Sequence, residues 1–261
     1  MFVEIDNLKT YYETSGEGKP IVLLHGWGGN HNSWYPITQN LQKYFKVITL
    51  DFPGFGQSQL SSQEWEIEDY AKHFQKFLTN IEIFNEKPTL IGHSFGGTVS
   101  IKYASLYLQN IEKLVLVNAK AIKEKKDLKK KLYKVVAKTG KTATNILDSK
   151  IQKKLKEKLY NHIGEHDYEQ LEGVLKKNFI NIINEDLSSD LEKIKVPSLI
   201  IWGENDKDTP LSDAKIINKL LDNSRLKVFP NTGHISYLER PEEFCKTVRK
   251  FIQNISQKVN C

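Results

Sequence analysis

The sequence predicts an α/β fold, a doubly wound and mostly parallel sheet carrying an inserted helical segment. Three observations lead there. Short apolar runs closed by glycine, proline or asparagine alternate with longer stretches whose apolar residues recur at helical spacing. The runs are apolar throughout rather than at alternate positions, as strands buried on both faces require. The alternation breaks once, over residues 121–190, where lysine-rich helical sequence runs too long for a single crossover. We therefore read a core domain in 1–120 and 191–261, and a helical lid insertion in 121–190.

The elements follow in order. Phe2 to Glu13 alternates and stops at "SGEGKP", which predicts strands with a turn. "PIVLLHG" is a buried strand stopped by glycine. Trp34 to Tyr44 has helical spacing. "KVITLD" is a buried strand, and the turn-rich "FPGFGQS" follows it. Ile67 to Phe84 repeats Ile67, Tyr70, Ala71, Phe74, Phe77, Leu78 and Ile81 at the helical period. "PTLIGHS" and "KLVLVN" are strands, with the helix "GGTVSIKYASLYLQN" between them. "VPSLIIWG" precedes a helix over Leu211 to Leu221. "LKVFPN" precedes a last helix over Pro241 to Ile255. Strands alternating with helices in this way make βαβ units.

With 261 residues, the chain is long enough to build its core without a disulfide or metal staple. Its two cysteines, Cys245 and Cys261, make no framework and suit a reducing cytoplasm. The polar N-terminus does not read as a signal peptide, and no apolar run suggests a transmembrane segment. The net charge of +6 is uneven. Lys120 to Lys158 holds 15 lysines against Glu124, Asp127, Asp148 and Glu157, a local +11, which leaves −5 for the rest.

The chemistry gathers at strand ends. Gly92-His93-Ser94-Phe95-Gly96 places a serine between a strand and a helix, in the G-x-S-x-G pattern. Such a turn requires φ > 0 at the serine, so its neighbours two positions away must be small. Gly97 lets the helix pack close. The helix N-terminus offers free N–H groups to a developing oxyanion. A hydroxyl is a weak nucleophile and needs a base within hydrogen-bond reach. His234, on the loop after the last strand, leaves the same end of the sheet as Ser94. Its orienting anion comes from "GENDKDTP": Asp206 is chosen, with Asp208 as runner-up. The end of "KLVLVN" is the other acid position, but Asn118 there carries no charge.

These residues resemble a known family. "LLHGWGG", "DFPGFGQS", "GHSFGG", "IIWGENDKDTP" and "NTGHISYLERPEEF" occur in the order found in α/β-hydrolases of the esterase and C–C hydrolase type with a helical lid. The resemblance covers nearly the whole chain outside the lid. It implies a Ser94, Asp206, His234 triad and an oxyanion hole from the backbone N–H groups of Trp27 and Phe95. It also implies a pocket near His25, Gly26 and His93, with His25 ordering its own loop. Asp51, Pro53, Gly54 and Gly56 resemble a structural loop of the family. Serine at the elbow, where haloalkane dehalogenases and epoxide hydrolases carry aspartate, implies acyl transfer to water.

The expected substrate is a small-molecule carboxylic ester of small to medium acyl size, cleaved without a cofactor. C–C hydrolysis of ring-cleavage dienoates is the alternative. "HGWGG" is also similar to esterases acting on methyl esters of carrier-bound acyl chains. That similarity would give the basic lid an acidic carrier protein as partner. A module binding nucleic acid or an anionic surface is the non-enzyme alternative, and nucleic acid is not expected, because the lysines suit a lid's solvated roof. His162 and His166 lack the H-E-x-x-H order, so no metal site is expected.

Overall fold

A computed structural model describes residues 1–81, 86–123 and 173–253. Eight strands form one sheet in the order β1-β2-β4-β3-β5-β6-β7-β8. They are β1 (Phe2–Ile5), β2 (Leu8–Ser15), β3 (Pro20–Leu24), β4 (Lys46–Leu50), β5 (Thr89–His93), β6 (Lys113–Val117), β7 (Ser198–Gly203) and β8 (Ser224–Phe229). The first two strands make an antiparallel hairpin, and β2 runs antiparallel to β4. Every later pairing is parallel. The hairpin turns on Asp6 and Asn7, whose φ values of 50° and 64° are those a two-residue turn between twisted strands needs.

The described helices are α1 (Tyr35–Leu41), α2 (Ile67–Asn80), α3 (Phe95–Leu106), α4 (Gly173–Ile183), α5 (Ser188–Lys193), α6 (Leu211–Leu220), α7 (Ser236–Glu239) and α8 (Pro241–Ile252). The segment expected as a helix over Trp34 to Tyr44 divides. A 3-10 turn over His31–Trp34 is capped by Asn30, and α1 begins beside Pro36. Residues 124–172, most of the expected lid, lie outside the described residues. The end of that segment, α4 and α5, is helical as its apolar spacing implies.

Alternation along the buried strands sorts the core into two layers. Val22, Leu24, Ile48, Leu50, Leu90, Leu116 and Ile200 face α2, α3 and α6. Ile21, Leu23, Val47, Ile91, Val115, Val117 and Ile201 face α1 and α8, including Phe244 and Val248. This is the doubly wound arrangement the continuous apolar runs predict: period-two alternation fills both faces, so most positions are apolar. Burying one such side chain stabilises by roughly 1.5–3 kcal/mol. The parallel strands share one direction, so the loops after β3 to β8 leave one rim. Ser94 follows β5, Asn118 follows β6, Asp206 follows β7 and His234 follows β8. No described helix is long and apolar enough to cross a membrane.

Candidate active site

The elbow has the geometry its glycines imply. Ser94 sits at φ 49°, ψ −114°, in a region that only over-determined residues hold. A Cβ on Gly92 would lie 2.4 Å from the Gly96 carbonyl oxygen, and one on Gly96 would lie 2.2 Å from that of Leu24. A Cβ on Gly97 would meet the Ala119 Cβ at 2.5 Å. The turn is clamped by backbone at Gly92 and Gly96 and by the Ala119 Cβ at Gly97, and it tolerates no side chain there. Ser94 N–H donates to the Val117 carbonyl at 3.0 Å, which fixes the elbow to the end of β6. Among the described residues, the N–H groups of Trp27 and Phe95 donate to no protein acceptor. Two amides, one after β3 and one opening α3, are therefore available to an oxyanion.

Asp206 and His234 are joined. His234 Nδ1 lies 2.9 Å from Asp206 Oδ2, and the carboxylate is wholly shielded from solvent. Asp206 Oδ2 also accepts from Asn118 Nδ2 and Thr209 Oγ1, each at 2.6 Å. Its Oδ1 accepts from the backbone N–H groups of Asp208 at 2.9 Å and Thr209 at 3.0 Å. Burial alone would push this carboxyl up. The bonds from His234 and Thr209 and the imidazole's charge outweigh burial and hold it at about 2. An ionised carboxylate only accepts, so Nδ1 of His234 carries the hydrogen, and when the ring is neutral Nε2 is left as acceptor. The runner-up Asp208 is exposed and supplies its backbone N–H to Asp206.

The elbow and the histidine loop are tied through His93. Its Nε2–H donates to the His234 carbonyl at 2.9 Å, and the two rings lie 4.9 Å apart. Burial lowers the His93 pKa to about 3, so the ring is neutral and acts as a strut. Among the described residues, the Ser94 hydroxyl makes no hydrogen bond, to His234 or to any other group. Such contacts are often long until substrate is bound. His25, expected near the pocket, is fully buried. Its Nδ1–H donates to the Gly26 carbonyl at 2.7 Å and its Nε2 accepts the Phe52 N–H at 3.0 Å. Burial lowers its pKa to about 4, and with both nitrogens engaged it orders the loop and offers no second base. Gly26 faces the elbow closely: a Cβ there would lie 2.9 Å from His93 Nδ1 and 3.4 Å from Ser94 Cβ.

Aromatic rings surround the two free amides. Trp27 packs edge-on against Phe55 and Phe95 and lies 5.2 Å from Phe179 of α4. Buried Asn178 fixes α4 beside them, accepting from Trp65 N–H at 2.8 Å and donating to Tyr70 Oη at 3.2 Å. Asp206, Asp208 and His234 bring ligand atoms within 4.8 Å of one another. Five donors already aim at the two Asp206 oxygens, which suits an anion held by hydrogen bonds better than a cation ligand. His162 and His166 lie outside the described residues.

Asn118, set aside in the sequence because it bears no charge, touches the acid directly. Thr209 and Ser236 join the same network, and nothing in their sequence context marks them.

The family model for the alpha/beta hydrolase fold matches residues 19–241. Monoacylglycerol lipase ABHD6 of Mus musculus is 26% identical, covering 94% of this chain and 79% of the relative. The 2-hydroxy-6-oxo-6-(2'-aminophenyl)hexa-2,4-dienoic acid hydrolase of Metapseudomonas resinovorans is 25% identical, covering 96% and 90%. The solved esterase EaEST of Exiguobacterium antarcticum superposes with a TM-score of 0.73 at 24% identity, covering 97% and 98%, a likeness of fold.

Proposed function

From the premise that the chain belongs to the alpha/beta hydrolase fold family, we propose that it is a serine hydrolase cleaving small to medium carboxylic esters through an acyl-enzyme. The observation that carries this reading is the pair of buried Asp206 and half-buried His234, tied by His93 to a strained serine beside two free amides. In the reaction, Ser94 Oγ attacks the ester carbonyl and His234 Nε2 takes its proton. The carbonyl oxygen, now anionic, accepts from the amides of Trp27 and Phe95. His234 returns the proton to the departing alcohol, and the acyl group stays on Ser94. Water then attacks, His234 takes its proton, and the acid leaves as Ser94 Oγ is reprotonated. Asp206 stabilises the imidazolium in both halves without itself taking a proton.

C–C hydrolysis is the second reading, supported by the dienoic acid hydrolase among the relatives. The segment 121–190 would serve as a lid that selects substrate, and its lysines would steer an acidic carrier protein. The low cysteine content supports a cytoplasmic setting. A panel of p-nitrophenyl esters from short to long acyl chains, with a methyl ester and a ring-cleavage dienoate, tests these readings. Turnover of short and medium esters by the wild type but not by Ser94→Ala is expected. Dienoate turnover without ester turnover would replace the first reading by the second. Equal turnover by Ser94→Ala would defeat both.

A further inference from the structure

We infer that Asn118 is the positioning residue that keeps the acid of this site ionised and aimed at His234, a role resting on the reading of Asp206 and His234 as a catalytic pair. Asn118 is fully buried at the end of β6, one residue beyond the carbonyl that holds the elbow. Its orientation follows from its partners. Oδ1 accepts from Ser236 Oγ at 2.6 Å, so Nδ2 is the donor that meets Asp206 Oδ2 at 2.6 Å and the Gly233 carbonyl at 3.4 Å. Its own carbonyl lies 3.2 Å from Thr209 Oγ1, whose one hydrogen goes to Asp206 Oδ2, and its N–H donates to the Ile201 carbonyl at 3.0 Å.

One side chain thus bridges the loop bearing the acid and both flanks of His234. It does so from a left-handed conformation, φ 47°, which asparagine adopts more readily than most residues. The donor lands on Oδ2, the same oxygen that receives His234 Nδ1–H. A neutral donor there stabilises the carboxylate without adding charge beside the imidazole. A carboxyl in its place would sit against a second carboxylate, and the two would have to share a proton.

Asn118→Gly removes the side chain while keeping a residue at ease at this φ. It should lower kcat about tenfold with KM within about twofold. Asn118→Asp would put a second carboxyl 2.6 Å from Asp206 Oδ2, and the pair would hold one proton between them, so this variant keeps a donor while Asn118→Gly loses it. The tautomer of His234 is read by nitrogen-15 NMR of histidine-labelled protein, with the resonance assigned by its loss in His234→Gln. In Asn118→Gly the ring should shift from the Nδ1–H form toward the Nε2–H form. An unmoved tautomer in Asn118→Gly, or kcat within twofold of wild type in that variant, overturns the role. The tautomer measurement needs no substrate. If Ser94→Ala matches wild-type turnover, the hydrolase reading fails while the NMR result still decides whether Asn118 couples to His234.

Discussion

Replacing Asp206 by asparagine tests the site most sharply. The two oxygens of Asp206 receive donors from five groups, and two of these are backbone N–H groups that cannot turn away. The amide oxygen of the variant must therefore take the place of Oδ1, facing Asp208 N and Thr209 N. Its NH2 then occupies the place of Oδ2 and points donors at His234 Nδ1. The imidazole responds by giving up the hydrogen on Nδ1 and carrying it on Nε2, the wrong tautomer for taking a proton from Ser94. A triad held in the wrong tautomer loses on the order of 10⁴ in kcat, which is about 5.4 kcal/mol of barrier. KM should change little, because Asp206 is buried behind His234. Asp208→Asn alters an exposed side chain and leaves its backbone N–H in place, so kcat should stay within about twofold. Initial rates on a p-nitrophenyl ester, with circular dichroism confirming the fold, measure both. A larger loss in Asp208→Asn, or a loss under tenfold in Asp206→Asn, would refute the assignment of the acid.

Other predictions bear on the same architecture. Ser94→Ala should remove ester turnover while leaving the urea midpoint nearly unchanged. Gly92→Ala forces a Cβ to 2.4 Å from a backbone oxygen. It should destabilise by about 3 kcal/mol or more, read as a lower thermal midpoint or as insoluble protein. Asn178→Ala leaves Trp65 N–H and Tyr70 Oη without their partner and should cost about 2–3 kcal/mol in denaturant titrations. His25 and His73, each lowered to about 4 by burial, and His93, lowered to about 3, are neutral in the fold but titrate near 6.5 when unfolded. Their contribution is complete above pH 6.5 and is lost as pH falls from there toward 4. At pH 5 each costs on the order of 2 kcal/mol. Urea midpoints at pH 7.5 and pH 5.0 should differ strongly, and His73→Gln should reduce the difference.

The strands, their order along the chain and the elbow were legible because they depend on local pattern. Continuous apolar runs report burial on two faces, and glycines around Ser94 report backbone crowding that any reader of the sequence can work out. The sequence offered Asp206 and Asp208 within three residues, and only the fold shows which carboxylate lies 2.9 Å from His234 Nδ1, namely that of Asp206. Asn118 was not legible as a partner of the acid. Its value lies in a donor pointing across two loops, and a single sequence displays charge but not direction. The same holds for Thr209 and Ser236, ordinary polar residues until the loops converge. The helix expected to reach Tyr44 ends at Leu41, and the chain turns there, with the Tyr44 and Phe45 N–H groups both donating to the Leu41 carbonyl, a change that periodicity does not report.

The conformation at Ser94 exists only while β3, β5, β6 and α3 hold it. A phosphonate reagent that labels an activated hydroxyl would then count intact molecules, since an unravelled chain presents an ordinary alcohol. Labelling yield across a denaturant series would serve as a direct census of the native population.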